Sequence, residues 1–123
     1  MRYVCLIHGN EADLKALSGD AARRLDRDSL DYDAVLAQGG HLVVAHALES
    51  PARATCLRSK GGRIVATDGP YAEVKEQLLG FLLIEAKDRD EAVALASRVP
   101  MIAHGTVELR AIHLLEGEEP PEA

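Results

Sequence analysis

Apolar residues recur along this chain with two periods, two and about 3.6, and the switches between them mark out its elements. In residues 2–8 both alternating sets, Tyr3-Cys5-Ile7 and Val4-Leu6-His8, are largely apolar, as in a strand buried on both faces inside a sheet. Gly9-Asn10 breaks that strand, and residues 11–18 make a short helix or turn. From 19 or 20 to 38 the period becomes helical. Leu25, Ser29, Tyr32 and Leu36, joined by Ala22 and Val35, form one stripe, while Arg23, Arg24, Asp26, Arg27 and Asp33 are expected to face water. Asp20 is the expected cap of this helix and Gly39-Gly40 its stop.

Residues 41–49 read as a second strand, ended by Ser50-Pro51 because proline cannot donate to a ladder. The runs 54–59 and 63–67 flank Lys60-Gly61-Gly62, and a double glycine between strand-like runs predicts a hairpin. In 79–87, Phe81, Leu83 and Glu85 share one face and Leu82, Ile84 and Ala86 the other, which predicts a central strand. Asp88 or Asp90 caps a last helix, with Asp88-x-x-Glu91 spaced as a capping box; Ala92, Leu95, Ala96 and Val99 form its apolar stripe and Pro100 ends it. The closing strand, 106–115, sets Val107, Leu109 and Ala111 against Glu108, Arg110 and Ile112. Residues 116–123 are acidic and proline-rich with nothing to bury, so a disordered tail is expected after a single domain spanning 1–115.

The succession strand, helix, strand, hairpin, strand, helix, strand predicts an α+β fold: a ferredoxin-like sheet with an inserted β-hairpin. Two helices cover one face of such a sheet. The other face, with Phe81 and Leu83, would be an apolar patch on a lone chain, so a homodimer is expected to cover it.

The stretch Asp68-Gly69-Pro70-Tyr71-Ala72-Glu73-Val74-Lys75-Glu76-Gln77-Leu78-Leu79-Gly80-Phe81 begins as a turn and ends inside the most apolar strand. It resembles the signature of the DGPF family, a branch of the YCII-related proteins, with Tyr71 in place of the family's phenylalanine, Val74 of its threonine and Leu79 of its first glycine. The resemblance implies a dimeric α+β barrel, packed sheet to sheet, and a setting alongside extracytoplasmic-function sigma factors. Some YCII-related proteins look like enzymes using a His–Asp pair, the histidine on the first long helix and the aspartate after the second. Here that first helix has no histidine and Val99 precedes Pro100, so the pair does not carry over.

Composition narrows the function. With 123 residues there is room for one core, and 47% apolar content with only 3% aromatics makes it a core of Leu, Val, Ile and Ala. Fourteen Lys and Arg against twenty Asp and Glu leave a net charge of −6, which argues against a nucleic-acid partner. No apolar run reaches the roughly 18 to 20 residues of a membrane span. The N-terminus reads as a strand and not a signal peptide, so cytoplasmic residence is expected. Cys5 and Cys56 lack C-x-x-C spacing and read as buried reduced thiols.

Candidate chemistry gathers at polar residues near strand ends. Asp68 is either an Asx-type turn former or a proton-moving base, with His46 or His8 as its catalytic partner. His46 alone reads more readily as a satisfied core histidine. Arg110 is a receptor for a negative group, and Tyr71, Glu73 and His104 are further candidates for ligand binding. No histidine spacing suits a metal and no motif suits a dinucleotide, so neither metal nor cofactor is expected. Two readings stand nearly level. One is a cofactor-independent lyase or isomerase acting on a small polar or aromatic acid; the other is a non-catalytic ligand-binding or regulatory module.

Overall fold

Strand pairing in this chain places its most apolar segments at the centre of one sheet. The computed structural model describes residues 1–120. Its elements are β1 (Arg2–Gly9), α1 (Glu11–Lys15), α2 (Gly19–Gln38), β2 (Leu42–Ala47), β3 (Thr55–Lys60), β4 (Arg63–Asp68), β5 (Gln77–Glu85), α3 (Arg89–Ala96) and β6 (Gly105–Ala111). An antiparallel sheet runs in the order β2-β5-β1-β6, and β3 and β4 form a separate hairpin inserted between β2 and β5. The fold is the expected α+β class, with the strand order of a ferredoxin-like sheet.

Register decides which side chains meet the helices. Tyr3 lies opposite Ile84 and Cys5 opposite Leu82, and all four are at most 5% exposed. Tyr32 and Leu36 of α2, Ala92 and Ala96 of α3, and Val99 close over them. Burying a side chain such as Leu36 or Ile84 contributes about 2 kcal/mol, so this single layer carries much of the stability. The other face of the sheet carries Val4, Leu6, Phe81 and Leu83, none of which belongs to the buried core.

Several boundaries differ from the sequence reading for local reasons. Ser18, not Asp20, caps α2: its hydroxyl accepts from the Ala21 N–H at 3.1 Å, whereas Asp20 is paired with Arg23. The capping box before α3 forms with one change, since Asp88 accepts from the Glu91 N–H at 2.9 Å while Glu91 accepts from the Lys87 N–H at 3.0 Å. β2 stops at Ala47 and β6 at Ala111, each shorter than its apolar run.

A register shift between Leu42 and Val44 turns Leu42 toward the helices, opposite Ile84, and puts His46 opposite Phe81 on the other face. His46 is therefore exposed and not a core histidine, its ring meeting that of Phe81 edge-on at 6.0 Å. Of the expected tail, 121–123 lie outside the described residues. Residues 116–120 are exposed, with a turn closed by the Glu118 N–H on the Leu115 carbonyl.

Candidate functional site

The signature stretch shapes the sheet edge beside which a cavity opens. Gly69 has φ of 107°, a left-handed conformation that glycine adopts freely, and its N–H donates to Ala54 O at 2.7 Å, fastening the base of the hairpin. Farther along, the Gln77 side-chain amide donates to both Ala72 O and Val74 O and ties the bend to itself. Gly80 then lets β2 come close, for a Cβ there would stand 2.9 Å from the His46 carbonyl oxygen.

Between α1, α2 and the β2–β5 end of the sheet lies a cavity of about 740 Å³. Ile7, Leu25, Ala45, Leu82 and Met101 supply apolar wall, and the turn from Val99 to Met101 closes it on the α3 side. Polar groups enter chiefly from α2. Ser29 and Asp33 are one helical turn apart, so both face the same way, into the cavity. The Asp33 carboxylate makes no ion pair or hydrogen bond among the described residues, and burial pushes it above the ordinary carboxylate range. Tyr32, also in the lining, spends its hydroxyl on Leu95 O at 2.6 Å, and burial raises it against the opposing influence of Arg98. A desolvated carboxylate with no partner, in a largely apolar recess, can accept a hydrogen bond from a ligand or exchange a proton with it.

Of the candidate residues singled out from sequence, His46 borders this cavity, though its ring lies with Phe81 on the other face of the sheet, and the others do not border it, among the described residues. Asp68 ends β4 in the separate hairpin, and its exposed carboxylate has no hydrogen bond or ion pair among the described residues; there it is neither an Asx-turn acceptor nor part of the cavity lining. His8 and Arg110 lie on the far face of the sheet. His8 Nε2 is 3.0 Å from Glu108 Oε1, so Glu108 pairs with His8 across strands. Tyr71 is 82% exposed beneath the guanidinium of Arg58, and Glu73 is exposed in the bend. His104 caps the turn Pro100–Ala103 and is exposed.

Asp33 is the residue that sequence reading assigned to water. Its spacing of four from the inward Ser29 was the available signal. Cys5 is 1% exposed, and burial pushes its thiol up to about 11, so it is inert; Cys56 is half-buried with its thiol donating to Gly69 O. No group of three His, Cys, Asp or Glu side chains stands close enough to hold a metal ion among the described residues. No helix among them is long and apolar enough to cross a membrane.

The YCII-related domain model matches residues 1–116, almost the whole described chain. The chain belongs to the YCII-related family. An uncharacterized protein of Rhizobium meliloti (strain 1021) is 32% identical over 123 residues, covering 98% of this chain and 99% of that protein. Among solved structures, this YCII-related chain is similar to the 5-chloro-2-hydroxyhydroquinone dehydrochlorinase of Burkholderia phenoliruptrix AC1100, determined in complex with 2,5-dihydroxybenzoquinone. The TM-score is 0.56 at 13% identity, over 97% of this chain and all of that one, and the shared fold is that of the dimeric α+β barrels.

Proposed function

We propose that this YCII-related chain binds a small polar molecule in the cavity beside α2 and performs lyase or isomerase chemistry on it by proton transfer. The observation that carries the reading is the Asp33 carboxylate, unpartnered and partly desolvated within an otherwise mostly apolar recess. Asp33 takes or returns the proton and Ser29 orients the substrate, while the His46 ring lies with Phe81 on the other face of the sheet and takes no part. The fold shared with a dehydrochlorinase supports small-molecule chemistry in this architecture; the residues that would do it here are this chain's own.

Two finer assignments go with this reading. The resemblance of the stretch from Asp68 to Phe81 to the DGPF signature supports assigning the chain to that branch, with the cell interior as its expected setting. A second copy covers the sheet face bearing Val4, Leu6, Phe81 and Leu83, which makes His8, Glu108 and Arg110 groups of the seam between copies and not of the cavity.

The test is a metabolite screen by thermal shift, followed by product detection for every ligand that raises the midpoint. The expected result is turnover by the wild type and a loss of about 100-fold or more in Asp33→Asn with the ligand still bound, as general acid–base catalysis requires. Binding without turnover in the wild type would make the protein a ligand-holding module, the role that suits a sigma-factor system. Equal turnover by both proteins would remove Asp33 from the mechanism.

A further inference from the structure

The charge of the lining bears on what the cavity admits, an inference that rests on the cavity being the binding site. Its titratable side chains are Glu11, Lys15, Asp26, Asp33 and Glu49, with Tyr32, while the ring of bordering His46 is on the other face of the sheet. Lys15 is the one permanent cation among them, and it stands 3.5 Å from Glu11. Glu11 is further held by the Ser50 hydroxyl, which donates to it at 2.9 Å. Glu49 is answered from outside the lining by Arg53 at 3.5 Å. Asp26 and Asp33 have no cation within ion-pair distance among the described residues.

An entering anion would have to take Lys15 from Glu11 while approaching half-buried Asp33, with the exposed Asp26 adding a more strongly screened like charge. A ligand with hydroxyl or ammonium donors meets the opposite situation, because half-buried Asp33 has no donor among the described residues. Arg110, the residue that would receive an acid, is on the other side of the sheet. We propose that the cavity selects uncharged or cationic small molecules carrying hydroxyl or ammonium donors and rejects carboxylates and phosphates. The raised proton affinity of Asp33 agrees with this, since a bound donor would supply the hydrogen bond that burial denies the carboxylate.

Three probes of one shape separate the outcomes: benzylamine, benzyl alcohol and benzoate, titrated at neutral pH while backbone amide shifts are followed by NMR. Benzylamine and benzyl alcohol should move the amides of Ile7, Ser29, Ala45 and Gly80, and benzoate should leave them in place. Asp33→Asn, with Asp26→Asn as a second variant, should weaken benzylamine roughly fivefold to tenfold and benzyl alcohol less, as expected for one lost charge contact at a partly screened site. Benzoate binding as tightly as benzylamine, or an amine affinity unchanged in both variants, would overturn charge selection while leaving the cavity as the site. If none of the three moves those amides, the cavity reading itself falls, and this inference with it.

Discussion

The carboxylates of Asp33 and Glu85 are displaced in opposite directions by opposite surroundings, and their pH signatures differ accordingly. Burial raises Asp33, so its contribution favours the folded chain below the ordinary value of 3.8 and is lost as pH rises through the folded value. Asp33→Asn should therefore melt above the wild type at pH 7 and lose that advantage near pH 3. Hydrogen bonds from the Met1 ammonium at 3.1 Å and from Arg2 Nε at 3.0 Å lower Glu85. Its contribution is present above the ordinary value of 4.5 and is lost as pH falls through the folded value. Glu85→Gln should melt below the wild type at pH 7 and match it near pH 3. Thermal melts of the three proteins at both pH values check the pair, and a common direction would contradict the assigned causes. The thiols give a second measurement at this scale. Iodoacetamide should label Cys56 in the native protein and Cys5 only after unfolding, because the thiolate is the reactive form and burial holds Cys5 protonated.

Among the elements, the bend into β5 is where sequence pattern and packing meet most closely. Gly80 lies where β2 passes over β5, so Gly80→Ala forces a Cβ against the His46 carbonyl. A cost of about 1 to 3 kcal/mol is expected, as for other overpacked sites, with the largest amide-exchange increase in β2. Gln77→Ala removes two hydrogen bonds at an exposed position and should cost about 1 kcal/mol, chiefly by freeing residues 72–74 to proteolysis. Both variants would show that signature residues act by shaping the sheet edge. Pattern reading found β1, β5 and the hairpin because their apolar periods and glycines are local. It misplaced His46 because strict alternation contains no signal for the register shift between Leu42 and Val44, which is set by how β2 fits its neighbour. It named Asp20 as the cap because aspartate is a common capping residue, but the helix begins at Gly19, so Ser18 stands at the cap position and Asp20 lies within the first turn, paired with Arg23.

At the scale of the whole molecule, one face of the sheet has helices and the other has half-buried Val4, Leu6, Phe81 and Leu83. Sedimentation at micromolar concentration should give a dimer for the wild type and a monomer for Leu83→Asp; a monomeric wild type would end the proposal of a second copy. The hairpin is similarly bare, with Leu57 and Ile64 at 68% and 71% exposure on one side of it.

The sequence by itself determined the order of elements, the strands buried on both sides, the helix stops and the family signature, because each is written in neighbouring residues through backbone geometry and hydrophobic period. Tertiary structure alone decided which polar groups share a space. Ser29 and Asp33 on α2, Ala45 on β2 and Gly80 on β5 are separated along the chain, and folding brings them to one cavity while sending Asp68 outward and the His46 ring and Arg110 to the far face. That choice depends on strand register and on the solvent each charge loses, and neither quantity exists until the chain has packed.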